Sequence, residues 1–123
     1  MEMLQVAQHA DDLDRARDFY TKLLGVGPSG FFDPPGLLFF QAGSVRLLLE
    51  PGAPSALIYL RVDDLEARVA ALRADGVEIV AEPHLIFTHT DDRLGPAGMA
   101  EHMAFVRDTE GNTVGLVSHR PAP

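Results

Sequence analysis

The chain repeats itself. The stretch "VDDLEARVAALRADG" (residues 62–76) echoes "ADDLDRARDFYTKLLG" (residues 10–25). Each opens on a small or apolar residue and Asp-Asp-Leu, continues with apolar residues at helical spacing, and closes on Gly. Self-similarity at a long interval marks a duplication, and it constrains the fold strongly because each copy must build the same unit.

The first copy begins with "MLQVAQHA", a short extended pattern. Alternation sorts it into Leu4, Val6, Gln8 and Ala10 on one face and Gln5, Ala7 and His9 on the other. Asp11 or Asp12 then caps a helix. Leu13, Ala16, Phe19, Tyr20, Leu23 and Leu24 form its apolar stripe, and Gly25 stops it. "GVGPSGFFDPPG" reads as turn and loop. "LLFFQAG" and "SVRLLLEPG" read as strands joined near Ala42 and Gly43. At least two of Phe31, Phe32, Phe39 and Phe40 belong to the core; the others suit an apolar wall or a dimer surface.

After the linker "PGAPS" the cycle restarts. "ALIYLRV" is a strand with Ile58, Leu60 and Val62 on one face and Leu57, Tyr59 and Arg61 on the other. Asp63 and Glu66 form a capping-box pattern. Leu65, Val69 and Leu72 give the buried stripe, and Gly76 ends the helix. "VEIVAEP" and "HLIFTH" are extended, "TDDRLGPAGMAE" is a loop, and "HMAFVRD" and "TVGLVSH" are strands around the turn "TEGN". The resulting expectation is an α+β fold. Two tandem βαβββ modules, about 1–53 and 54–123 of a single domain, form a curved mixed sheet with a concave trough, the helices lying on the outer face. A trough of that kind is where a small ligand sits.

Composition removes whole function classes. Cysteine is absent, so disulfides, zinc-thiolate sites and cysteine nucleophiles are excluded. Ten basic against eighteen acidic side chains give a formal charge of −8. With Lys22 the only lysine and the arginines scattered, there is no basic footprint for nucleic acid. No stretch approaches the ~20 apolar residues of a membrane span, and no secretory leader is visible. A cytoplasmic protein without a membrane partner is the expectation.

Two signatures carry a family resemblance. "HADDLDRARDFYTKLLG" is similar to the first-helix signature of the vicinal oxygen chelate superfamily, which includes glyoxalase I, bleomycin-resistance proteins and extradiol dioxygenases. "FVRDTEGNTVGLV" resembles that family's closing strand–turn–strand, with the turn at Asp108, Thr109, Glu110, Gly111 and Asn112. The resemblance spans Leu4 to Val117.

It also implies where a metal would sit in the metal-using members: four His, Gln or Glu ligands facing the trough, from the first and last strand of each module. Such an ion keeps open positions for substrate oxygens and stabilises a developing oxyanion. In this sequence those positions fall on Gln5, Leu48, Leu57 and Gly115, with Glu50 two residues beyond Leu48 on the same face. Leu57 and Gly115 offer no donor, so no metal is expected at the standard site; Gln5 and Glu50 would serve only a degenerate one. Gln5, His9, Arg46, Glu50, Tyr59 and Arg61 remain as ligand-binding residues facing the trough.

His84 and His102 are the candidate acid–base residues, since histidine titrates near neutral pH. No His-x-His or His-x3-His spacing supports a rebuilt metal site from His84, His102 and Glu50. His119 is assigned no role. "THTDDRLGPAGMAEH", with Met99 and Met103, reads as a lid. The expected function is small-molecule binding without a cofactor, in a homodimer. The alternative is a lyase, isomerase or dioxygenase of the glyoxalase type, using a divalent metal or acid–base catalysis.

Overall fold

The computed structural model describes residues 1–123. The chain divides into two compact units, one of residues 1–56 with Asp108–Asn112, the other of residues 57–107 with 113–123.

The first unit carries β1 (Gln5–His9), α1 (Leu13–Leu24), β2 (Gly30–Phe32), β3 (Leu37–Ala42) and β4 (Val45–Glu50). The second carries β5 (Ile58–Arg61), α2 (Leu65–Ala74), β6 (Ile79–Thr88), β7 (Met99–Arg107) and β8 (Thr113–Pro121). Each is a βαβββ module with its own four-stranded mixed sheet. The strand orders are β1-β4-β3-β2 and β5-β8-β7-β6, with β1 parallel to β4 and β5 parallel to β8. The echo between the two helices is therefore a repeat of topology as well as of sequence.

Local chemistry fixes both helices. Asp12 caps α1, its carboxylate accepting the Arg15 amide at 3.0 Å, and Gly25 closes it in the left-handed region at φ 74°. The α1 stripe buries Leu13, Ala16, Tyr20 and Leu23 on a sheet face made of Leu38, Phe40, Leu47 and Leu49. Burial of each leucine or phenylalanine among them contributes about 1.5–3 kcal/mol before entropy is counted. In the second unit Leu65, Val69 and Leu72 cover Ala100, Ala104, Val106, Val114 and Leu116.

Four local expectations change. The cap of α2 is Asp64 rather than Asp63, its carboxylate accepting the Ala67 amide at 3.1 Å. The Gly/Pro-rich stretch holds a short strand, Gly30–Phe32, because its two Phe residues pair antiparallel with Leu37 and Leu38. Of the four phenylalanines around it, Phe40 alone is fully buried; Phe31 and Phe39 are half-buried and Phe32 is exposed. "VEIVAEP" and "HLIFTH" form one edge strand that runs through Pro83. An edge position tolerates the missing N–H, and register shifts flank it.

The reading of residues 90–101 as loop also changes. β7 begins at Met99, so Met99, Ala100 and Glu101 pair with Pro121, Arg120 and His119 of β8. Met99 and Met103 are thus sheet residues rather than parts of a lid.

Candidate functional site

Each sheet buries one face under its helix, and alternation puts every candidate side chain except that of His102 on the other. In the first unit that second face carries Gln5, Ala7 and His9 of β1 beside Arg46, Leu48 and Glu50 of β4. The register is Gln5↔Arg46, Ala7↔Leu48 and His9↔Glu50. Gln5 and Glu50 share the face but stand four residues apart along the strands, about 13 Å at the usual rise.

Their partners differ as well. Gln5 Oε1 accepts a bond from Arg46 Nε at 3.1 Å, and the Arg46 guanidinium lies over the Phe39 ring at 5.7 Å. His9 is tied down at both ring nitrogens. Nδ1 lies 3.1 and 3.2 Å from the Pro51 and Ala53 carbonyls, and Nε2 lies 3.2 Å from an Asp11 carboxylate oxygen. The Asp11 contact raises its pKa above the ordinary histidine value.

In the second unit the corresponding face carries Tyr59 and Arg61 of β5, Gly115, Val117 and His119 of β8, and Glu101, Met103 and Phe105 of β7. Tyr59 is half-exposed and meets Phe105 edge-on, centroids 5.9 Å apart. Gly115 is required there: a Cβ on it would lie 2.6 Å from the Tyr59 ring. Arg61 is exposed and makes no ion pair.

His84 is exposed, its Nδ1 2.8 Å from the Glu82 carbonyl, and its pairing with Met103 puts it on this same face. His102 alternates to the α2 side, where its Nδ1 accepts a bond from Arg120 Nε at 3.2 Å. Arg120 also reaches Glu66 in the first turn of α2. The sheet therefore separates His84 from His102.

Sequence reasoning did not single out the cluster at the far end of this face. Glu101 Oε1 lies 3.0 Å from His89 Nε2 and 2.8 Å from His119 Nε2. The His89 side chain is 2 % exposed and those of Glu101 and His119 are 11 % and 14 % exposed, so the three form a nearly closed polar group. The His89 ring packs on Phe87, centroids 4.4 Å apart. Burial alone would raise the Glu101 pKa, but the hydrogen bonds to His119 and His89 outweigh it and the net shift is downward. A signal for His119 was present in the alternation, since Gly115, Val117 and His119 share one face of β8. Glu101 joins them only once β7 is extended back to Met99.

With this geometry in view, the comparisons with known proteins are specific about the family. The profile of the Glyoxalase/Bleomycin resistance protein/Dioxygenase superfamily matches residues 3–116. The chain belongs to that superfamily.

Among solved structures it is similar to a lactoylglutathione lyase from Agrobacterium tumefaciens (21 % identity, 95 % of this chain and 92 % of that one covered, TM-score 0.70). It is also similar to a glyoxalase/bleomycin resistance protein/dioxygenase from Alicyclobacillus acidocaldarius (16 %, 96 % and 91 %, TM-score 0.66). A superfamily member from Sphaerobacter thermophilus DSM 20745 compares in the same way (16 %, 96 % and 97 %, TM-score 0.70). At such identities the likeness concerns the fold. None of the curated protein sequences matches it. No helix is long and apolar enough to cross a membrane.

Proposed function

We propose that this protein binds a small molecule on the helix-free face of its second sheet, without a metal at the superfamily's usual positions. The observation that carries this is Gly115. A metal-using member would place a carboxylate there, whereas here the glycine is packed under the Tyr59 ring and any side chain would collide with it. Leu48 and Leu57 likewise offer no donor, so the residues present do not fit a four-ligand ion.

What stands on that face instead is suited to an amphipathic ligand. Tyr59 is an exposed aromatic platform, Leu57 and Phe87 are exposed apolar residues, and Arg61 is an unpaired cation one pleat from Tyr59. An aromatic ring with a nearby guanidinium takes an apolar body with an attached carboxylate. Gln5, His9, Arg46 and Glu50 are the polar groups of the helix-free face of the first sheet, proposed as ligand-binding there. A homodimer is part of the proposal, because β6, an edge strand in its own sheet, exposes Val80, Leu85, Ile86 and Phe87; a cytoplasmic location is proposed with it from the lack of cysteine.

The test is a ¹H–¹⁵N NMR titration with small aromatic carboxylates, lactoylglutathione and bleomycin. Saturable shifts at Tyr59, Arg61, Phe105 and Gly115 are expected from at least one probe, and loss of those shifts in Tyr59→Ala and Arg61→Ala. Shifts confined to other surfaces, or persisting in both variants, would refute the proposal. Light scattering on the same samples tests the dimer.

A further inference from the structure

We propose that His89, Glu101 and His119 form a binding site for a divalent first-row transition metal, displaced along the sheet from the superfamily's usual position. The metal site does not rest on the ligand reading above, and each can fail without the other.

Two imidazole Nε2 atoms and one carboxylate oxygen converge so that all three lie within 4.8 Å of one another. Glu101 and His119 stand on paired strands and His89 is the residue that follows β6, held to β7 by its own main-chain bond, so their spacing is set largely by the sheet. Glu101 and His119 are direct cross-strand partners. His89 is locked by main-chain bonds on both sides, its N–H donating to the Met99 carbonyl at 2.9 Å and its C=O accepting the Gly98 amide at 2.8 Å. Packing fixes the ring as well. A Cβ at Gly95 would lie 2.6 Å from His89 Cε1, so the loop after β6 rests its backbone on the imidazole, which also packs against the Phe87 ring.

Two neutral imidazoles and one carboxylate are a donor set that zinc, cobalt, nickel and iron(II) prefer over magnesium or calcium. Three protein ligands leave at least one coordination position for water or a substrate oxygen. His119 stands four residues beyond Gly115 on the same strand face, about 13 Å along β8. The donors absent from the usual position thus have a counterpart two pleats away, on the face that also carries Tyr59 and Arg61.

The experiment uses the full chain, stripped with chelator and titrated with Co(II), read by visible absorption and equilibrium dialysis. Expected is one Co(II) per chain with ligand-field bands. Affinity should fall at least roughly tenfold in His119→Ala and in Glu101→Gln, and be unchanged in Gln5→Ala and Glu50→Gln. Circular dichroism checks that the variants fold. Histidine-ring ¹⁵N shifts of the unmutated protein on adding Zn(II) give a readout independent of any variant, and must move for His89 and His119. Absence of stoichiometric binding would reduce the cluster to a hydrogen-bonded triad only and overturn the proposal. So would binding that survives both cluster variants or is abolished by Gln5→Ala.

Discussion

Asp108 is a buried carboxylate at the heart of the first unit, and every oxygen of it is used. Oδ1 accepts the amides of Glu110 and Asn112, each at 2.8 Å; Oδ2 accepts the Tyr20 hydroxyl at 2.5 Å and Asn112 Nδ2 at 2.7 Å. Asn112 passes the network on to the His9 carbonyl at 2.8 Å. Burial and the Asp108 charge together push the Tyr20 pKa up, which keeps the hydroxyl protonated as a donor to Asp108. Removing it leaves a buried charge short of one donor. Tyr20→Phe is therefore expected to lose about 1.5–3 kcal/mol, read as a lower urea midpoint with unchanged slope.

Glu110 adds a pH dependence. Its side chain is fully buried, which alone would raise its pKa. Arg15, the Asp12 amide and the Thr109 hydroxyl outweigh that and hold the carboxyl below its ordinary value. A lowered folded pKa means stability that is present above the unfolded value, about 4.3, and is lost as pH falls through the folded one. Glu110→Gln should thus be less stable at pH 7 and flatten the acid limb, measured by urea unfolding across pH 3–7. An unchanged acid limb would assign that limb to other carboxylates.

At the scale of the element, β8 shows what packing adds to pattern. Gly115→Ala puts a methyl 2.6 Å from the Tyr59 ring, and the strain should cost about 1–3 kcal/mol. Tyr59→Ala removes the obstacle, so the double variant should recover most of that loss in a double-mutant cycle. Additive losses would mean that the Phe105 ring, 3.2 Å from the same Cβ position, is the obstacle instead.

The same strand explains which parts of the molecule could be read in advance. Periodicity and caps are local, so the helices, the paired strands and the duplication were legible from Asp-Asp-Leu, the apolar stripes and the closing glycines. The Gln5, Arg46 and Glu50 face followed from alternation. The His89–Glu101–His119 cluster did not, because its members are distant in sequence and meet only through the register of three antiparallel strands. One boundary decided it: Ala100 and Glu101 look like the tail of a Gly/Pro-containing loop, yet cross-strand pairing with β8 draws them into the sheet. Likewise His102 and His84 look equivalent as histidines of neighbouring strands, and only the pleat assigns them to opposite faces.

For the whole molecule, a formal charge of −8 means that divalent cations gather near it whether or not it has a metal site. Diffuse attraction and coordination have different signatures. Diffuse attraction is screened within about 10 Å at 0.1 M salt, follows charge alone, and is the same for magnesium as for zinc or cobalt. Coordination by imidazole nitrogen follows the donor preference of the ion and survives salt. A bound ion stabilises the folded chain by about 2.7 kcal/mol when its concentration is a hundred times its dissociation constant.

The expected result is therefore a melting temperature raised by Co(II) in 0.3 M salt and left nearly unmoved by the same concentration of Mg(II). Because the three ligands belong to β8, β7 and the residue after β6, hydrogen exchange should slow in residues 84–104 and 115–121 when Co(II) is added. The strands β1 to β4, which hold Gln5 and Glu50, should exchange as before. Equal stabilisation by both ions, vanishing in salt, would assign the effect to the acidic surface. Protection concentrated in the first unit would place the ion away from the His89, Glu101 and His119 cluster and overturn that assignment.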